Sequence, residues 1–150
     1  LAYMALNIIR DYPLGVGENN YDQVTSDEYA HPNWIGHTLL PVHNKFLLVW
    51  ANTGLHGLIA FVSMILSTAS LAVRRLLIRR LPDRIRILLG GFLCALCGYA
   101  FHMNAEAFSS RPTGQILWFL MAMIAALSRL ALKQAPARER GASPAGHRGA

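Results

Sequence analysis

The side chains able to do chemistry in this chain are few, and they sit at edges. His43 and Asn44 stand side by side where a polar, proline-rich stretch ends and a long apolar run begins, with Gly54 and Gly57 inside that run. An imidazole at such a junction can take a proton from a polar acceptor while staying within reach of a lipid-borne group. The position just after Pro41 is the expected start of a helix, whose N-terminus carries positive partial charge. That charge favours the neutral imidazole a general base requires near neutral pH. A histidine that only anchors or caps the helix at the interface is the plainer reading of the same residue. Asn44 has two readings of equal weight, holding a substrate hydroxyl or capping the helix.

The other candidates are more scattered. His56 lies between the two glycines, well inside the apolar run. An ionisable residue there is a functional candidate by default, although a neutral, hydrogen-bonded histidine facing a helix bundle is the simpler expectation. His102 and Glu106 are four residues apart and share a helix face. Cys94 and Cys97 form a Cys-x-x-Cys, which in a soluble chain suggests redox or zinc chemistry. Here both lie in an apolar run with no second pair of ligands nearby, and cysteine also serves as a small hydrophobe. His31, His37, Asp22, Asp27 and Glu28 do not form a cluster with metal-ligand spacing, so no metal or cofactor is expected. No glycine-rich loop followed by Lys-Ser or Lys-Thr is present, which argues against a nucleoside triphosphatase.

The elements that must hold these residues follow from composition. The 150 residues are 53% hydrophobic and 15% charged, against about 25% charged in ordinary soluble domains. Residues 46–73 contain no Asp, Glu, Lys or Arg, and that run exceeds the roughly 20 apolar residues a membrane-spanning helix needs. An all-α, polytopic membrane bundle is the expected fold, with spans at about 46–73, 85–105 and 115–132. Gly90, Gly91 and Gly98 in the second span are expected to let helices approach closely. Ahead of the spans, Leu1, Met4, Ala5, Ile8 and Ile9 follow the spacing of one helix face, Pro13 ends that helix, and Gly15 and Gly17 mark a turn. Residues 1–45 read as an outer loop region with short helices, acidic and interleaved with Tyr12, Tyr21, Tyr29 and Trp34. These aromatics suit either a membrane surface or a sugar ring. The tail, 133–150, reads as a disordered basic end. With no initiator methionine, the chain reads as the C-terminal portion of a longer protein.

Charge orients the spans. The net charge is +6, and its arginines gather between the first and second spans (Arg74, Arg75, Arg79, Arg80, Arg84, Arg86) and after the third. Placing both groups in the cytoplasm satisfies the positive-inside rule at once and puts residues 11–42 and the turn 106–114 on the opposite, periplasmic face. Basic character of this kind belongs to the membrane topology and does not call for a nucleic-acid partner.

The pair His43-Asn44, nine residues, Gly54, two residues, Gly57 resembles the signature of the O-antigen ligase and O-antigen polymerase superfamily. Upstream, Pro13-Leu14-Gly15-Val16-Gly17-Glu18-Asn19-Asn20-Tyr21 looks like the proline- and glycine-rich segment that opens the family's large periplasmic loop, and the two motifs come in the family's order. The resemblance implies a glycosyltransferase of the bacterial inner membrane, with no nucleotide sugar. Its donor would be a glycan on undecaprenyl diphosphate. Its acceptor would be a hydroxyl of lipid A core, of another glycan or of a protein. His43 would deprotonate or orient that hydroxyl. The leaving diphosphate needs cationic stabilisation, which in the family comes mainly from arginines ahead of the present segment. Within this chain Arg111, Arg10 and Lys45 are the cations placed to reach it. Arg111 could equally pair with Glu106 or with lipid head groups. Pro13, Gly15, Gly17, Gly54 and Gly57 would be structural, with Gly54 and Gly57 serving close helix packing.

A rival from another class is a transporter or a structural subunit of polysaccharide export. It would use His43, His56, His102 and Glu106 along a path through the bundle. Transporters place paired polar groups near midplane, whereas here nearly all candidates gather at one face.

Overall fold

The computed structural model of this chain describes residues 2–18, 20–29, 42–79, 81–105 and 111–140. Its elements in chain order are α1 (Ala2–Asp11), α2 (Tyr21–Glu28), α3 (Lys45–Leu76), α4 (Asp83–His102) and α5 (Arg111–Arg140). Every regular element among the described residues is a helix, as the apolar runs lead one to expect.

Three stretches are long and apolar enough to cross a membrane: Lys45–Leu76, Asp83–His102 and Gly114–Gln134. Their common core is built from Ile65, Ala72, Leu89, Leu96, Met103, Leu117, Leu120, Ile124 and Leu127. Phe92 of α4 meets Phe119 of α5 edge-on, with ring centroids 6.2 Å apart. Outside that core, Leu55, Ile59, Leu66, Leu88, Phe101, Trp118 and Phe119 remain exposed, as suits helices whose outer surfaces meet lipid. The chain is a multi-pass membrane protein.

The ends of the helices follow local chemistry. α3 finishes in Arg74 and Arg75, cations that suit the negative end of a helix dipole. Pro82 precedes α4 and Asp83 occupies its first turn, where an acid is favourable for the same reason. The Arg86 guanidinium folds back and donates to the carbonyls of Ile78 (3.3 Å) and Arg79 (3.2 Å), which ties the loop after α3 to the start of α4. Leu81 and Ile85 pack with Ala131 of α5 beneath it.

Three expectations need correction. α3 is not one continuous rod: Gly54 breaks it, with φ 73° and ψ −179°. The stretch 55–76 is roughly 33 Å long, enough to cross a bilayer alone. The turns before it, 45–53, therefore form a separate half-helix of about 14 Å. Gly90, Gly91 and Gly98 are not points of close approach either, since a Cβ added at any of them would meet nothing within 4 Å. Finally, α5 continues to Arg140, past the boundary expected at 132; residues 141–150 lie outside the described residues.

α1, α2 and the half-helix of α3 make a second, smaller layer. Its core is Ala5, Ile8, Ile9, Tyr21, Val42, Leu48 and Ala51. Ala5, Ile8 and Ile9 are the apolar face read from the sequence of α1, and they close against Leu48 and Ala51 rather than against the three-helix core.

Candidate functional site

His43 sits in a three-residue link with anchors on both sides. Before it, Val42 is buried in the core of the small layer. After it, Asn44 is the N-cap of α3: its backbone is extended (φ −159°, ψ 111°), and its Oδ1 accepts from the Leu47 N–H at 3.0 Å. This satisfies one of the donors that every helix start leaves unpaired. The other half of the same amide, Nδ2, donates to the Asn104 carbonyl at 3.3 Å. The backbone N–H of Lys45 donates to the Met103 carbonyl at 2.8 Å. The turn that ends α4 thus holds the start of α3, and His43 stands exposed between that clamp and the anchored Val42. Of the two readings of Asn44, the geometry has the cap, with both ends of its amide engaged inside the chain.

The glycines of the two motifs meet. Pro13 stops α1, and Gly15 (φ 87°) and Gly17 (φ 95°) turn the following loop in conformations that L side chains rarely adopt. That loop lies on the break in α3. The N–H of Val16 donates to the Ala51 carbonyl and the N–H of Gly17 to the Asn52 carbonyl, each at 2.9 Å. A helix end leaves its last carbonyls without intrahelical partners, and here the loop provides their donors. The fit is backbone against backbone. A Cβ at Gly54 would come within 2.7 Å of the Leu14 carbonyl carbon and oxygen, and a Cβ at Gly15 would collide with the Asn52 carbonyl and the Gly54 nitrogen. The backbone of Gly54 also lies in a region open essentially to glycine alone. Close packing was expected of Gly54, but its partner is this loop and not another spanning helix. Gly57 packs within α3: a Cβ there would strike the Thr53 side chain, whose hydroxyl donates to the Val49 carbonyl at 2.7 Å.

α2 closes the layer from the far side. Tyr21 and Thr25 are both buried, and the Thr25 hydroxyl donates to the Tyr21 carbonyl at 2.6 Å. Burial pushes the Tyr21 hydroxyl above its ordinary pKa of 10.0; the Thr25 hydrogen bond opposes this and the charge of Asp22 adds to it. The Tyr29 hydroxyl donates to the Asp11 carboxylate at 2.5 Å, tying the end of α2 to the end of α1. Asn20 Nδ2 donates to the Val16 carbonyl at 3.0 Å, so the loop that docks on Gly54 is braced from α2 as well.

The remaining candidates are less gathered. Arg10 is exposed on the last turn of α1 and Lys45 is half-buried on the first turn of α3. Arg111 begins α5, but its side chain, together with Glu106, His31 and His37, lies outside the described residues. His102 is exposed at the end of α4, on the same side as the Asn44 clamp. His56 is exposed on α3 instead of facing the bundle. Cys94 and Cys97 are free and exposed on α4. Among the described residues no group of three or more His, Cys, Asp or Glu could hold a metal ion.

Three contributors were not singled out from the sequence. Met103 and Asn104 hold the helix start through backbone carbonyls, a role with no side-chain signature. Asn52 is buried, its carbonyl receives Gly17, and its Oδ1 has no partner among the described residues. A lone asparagine in an apolar run, two residues before a glycine, was the available signal.

Comparison with known proteins bears out the resemblance. The family model described as O-antigen ligase matches residues 1–62, which take in α1, the docked loop, α2, His43 and the break at Gly54. An uncharacterized protein of Haemophilus influenzae is 25% identical over 118 residues, which are 77% of this chain and 29% of that protein. The chain therefore spans under a third of the length of that curated relative. No solved structure matches it.

Proposed function

We propose, from a chain whose residues 1–62 match the O-antigen ligase family, that it forms part of a membrane glycosyltransferase of surface polysaccharide. In this reading the enzyme moves a glycan from undecaprenyl diphosphate to a hydroxyl acceptor on the periplasmic face of the inner membrane. The observation that carries the reading is the interlock. The loop around Gly15 and the helix break at Gly54 are one unit, and that unit shares its core with the residue next to His43.

His43 acts as the base. It takes the proton of the acceptor hydroxyl as the oxygen attacks the anomeric carbon, and the bond from that carbon to the lipid diphosphate breaks. A base contributes most when its position is fixed before substrate arrives. The Val42 anchor and the Asn44 cap are the supports for that position. Asn44 serves as cap and brace, and Lys45, Arg10 and Arg111 are the cations on offer to the departing diphosphate. The acceptor is a sugar or protein hydroxyl, which leaves ligation, polymerisation and protein glycosylation as the three forms of one chemistry.

The test is His43→Ala in the full-length protein. Transfer from the lipid-linked donor should fall to a small residual rate while the amount of protein in the membrane stays normal. Transfer at the wild-type rate would remove His43 from the chemistry. Glycan profiling of a deletion strain separates the forms: lost ligation leaves polymer on the carrier, and lost polymerisation leaves single repeats.

A further inference from the structure

Below its break, α3 carries most of its polar residues along one face. Ser63, Ser67, Ser70 and Arg74 recur at intervals of four, three and four residues, which places them on one side of a helix, and all four are exposed. Ser63 satisfies its hydroxyl within α3, donating to the Ile59 carbonyl at 2.6 Å. Ser67 and Thr68 do the same, each donating to the Met64 carbonyl at 2.9 Å. Ser70 and Arg74 make no hydrogen bond or ion pair among the described residues.

These two line an open hollow of about 480 Å³, whose lining among the described residues is Ser67, Thr68, Ser70, Leu71 and Arg74. Serine, threonine and arginine side chains share this lining with a larger apolar surface from Leu71 and the side-chain carbons, and such polar groups are unusual on a helix made to cross a bilayer. The position of the hollow is specific too. Arg74 is in the last turn of α3, so the hollow lies at the end of the span, where hydrocarbon gives way to head groups. The stretch from the end of α3 through the loop to the first turn of α4 is basic, with Arg75, Arg79, Arg84 and Arg86. Its one acid among the described residues, Asp83, already lies 3.8 Å from Arg86. Leu66, Val73 and Leu77 are exposed nearby on the same helix and offer an apolar wall beside the hollow.

A guanidinium and a hydroxyl without partners among the described residues, beside an apolar wall at a membrane boundary, match one ligand shape: a phosphate diester carrying acyl chains. We propose that this hollow holds an anionic phospholipid of the leaflet that faces the arginine loop. Its phosphate lies against Arg74 and Ser70, and its acyl chains run along Leu66 and Val73. The site is at the opposite end of α3 from His43 and stands apart from the transfer reaction.

The experiment uses the full chain in nanodiscs of phosphatidylcholine containing a minor fraction of phosphatidylglycerol, with retained lipid counted by native mass spectrometry after detergent extraction. Wild type should retain phosphatidylglycerol over phosphatidylcholine by roughly five-fold, the scale of one arginine near a charged surface. Arg74→Gln and Ser70→Ala should reduce that preference, Arg74→Gln nearly to parity, with helix content by circular dichroism unchanged. Arg84→Gln, in the first turn of α4 and outside the hollow, should leave it intact. Equal retention of both lipids by wild type would overturn the proposal. So would an Arg84→Gln loss as large as that of Arg74→Gln, which would mean diffuse charge attraction. Displacement of the lipid by millimolar inorganic phosphate would also overturn it, by marking a phosphate site without a lipid.

Discussion

The three-helix bundle and the small layer around His43 are held together by different means. In the bundle, contact is made by side-chain volume: Leu89, Leu96, Leu120, Ile124 and Leu127 fill one core. Apolar residues of similar size substitute for one another in such cores at modest cost. In the small layer the decisive contacts are between backbones. Gly15 and Gly54 interlock, two N–H groups of the loop meet two carbonyls at the helix break, and the start of α3 is clamped to the turn after α4. Backbone contacts of this kind tolerate almost no substitution, because an added Cβ has nowhere to go. The motif glycines collect where backbone geometry sets the position of the link that carries His43. The family match has the same shape: it covers the layer and ends at residue 62, with α4 and α5 beyond it.

The contrast can be broken most forcefully at the interlock. Gly54→Ala puts a methyl within 2.7 Å of the Leu14 backbone and demands a conformation that costs a non-glycine residue about 1–3 kcal/mol. Transfer by the full-length enzyme should fall about 100-fold, the scale of a small misplacement of a reacting group. Gly15→Ala should do the same, while Gly98→Ala, with open space around it, should be silent. Measured rates beside membrane protein levels decide this. If Gly54→Ala and Gly98→Ala behave alike, the interlock has no special role.

The bundle should answer in the opposite sense. Leu96→Ala empties a fully buried position and should cost about 2–3 kcal/mol of stability, read as a lower midpoint of thermal unfolding in detergent. The rate per folded molecule should hardly change.

Between these lies Asn44→Ala. Loss of the cap costs about 1 kcal/mol, and loss of the Asn104 brace adds to it, so transfer should drop by roughly 10-fold. Asn44→Asp keeps the cap acceptor and should recover part of that loss. Recovery would favour the cap over direct contact with substrate.

The smallest effect concerns α2. Tyr21 has a raised pKa in the folded layer, chiefly through burial, so the folded state holds its proton longer than the unfolded one. The stabilisation is fully present below about pH 10 and is lost as pH rises through the raised value. Limited proteolysis across 11–29 should accelerate above pH 10, and Tyr21→Phe should blunt that acceleration.

How much of this could be read from the chain itself also divides along the two regions. The spans were legible because apolar runs bounded by arginines and prolines have few other uses, although the break at Gly54 moved the start of the first crossing segment to 55 and α5 ran on to Arg140. The face of α1 was legible from Ala5, Ile8 and Ile9 for the same reason. The break at Gly54 was not. A glycine in an apolar run looks like a close-packing residue, and nothing in its neighbours announces a reversed φ; the partner that requires it is 39 positions away in sequence at Gly15. The same ambiguity led the other way for Gly90, Gly91 and Gly98, which face open space. α2 was hard to place because, among the described side chains, Tyr21 and Thr25 alone are buried in so short and polar a segment. Met103 and Asn104 act through carbonyls, which sequence does not mark. His43 itself stood out through its spacing to two glycines; why that spacing matters required the backbone.

In the proposed function the interlocked glycines work through His43. The most direct test is the transfer rate of the full-length enzyme carrying His43→Ala, Gly54→Ala or both. If Gly54 only positions the base, the double variant should be no slower than His43→Ala alone, since a misplaced base and an absent one cannot both be lost. Effects that multiply in the double variant would contradict the account and give the helix break a role independent of His43.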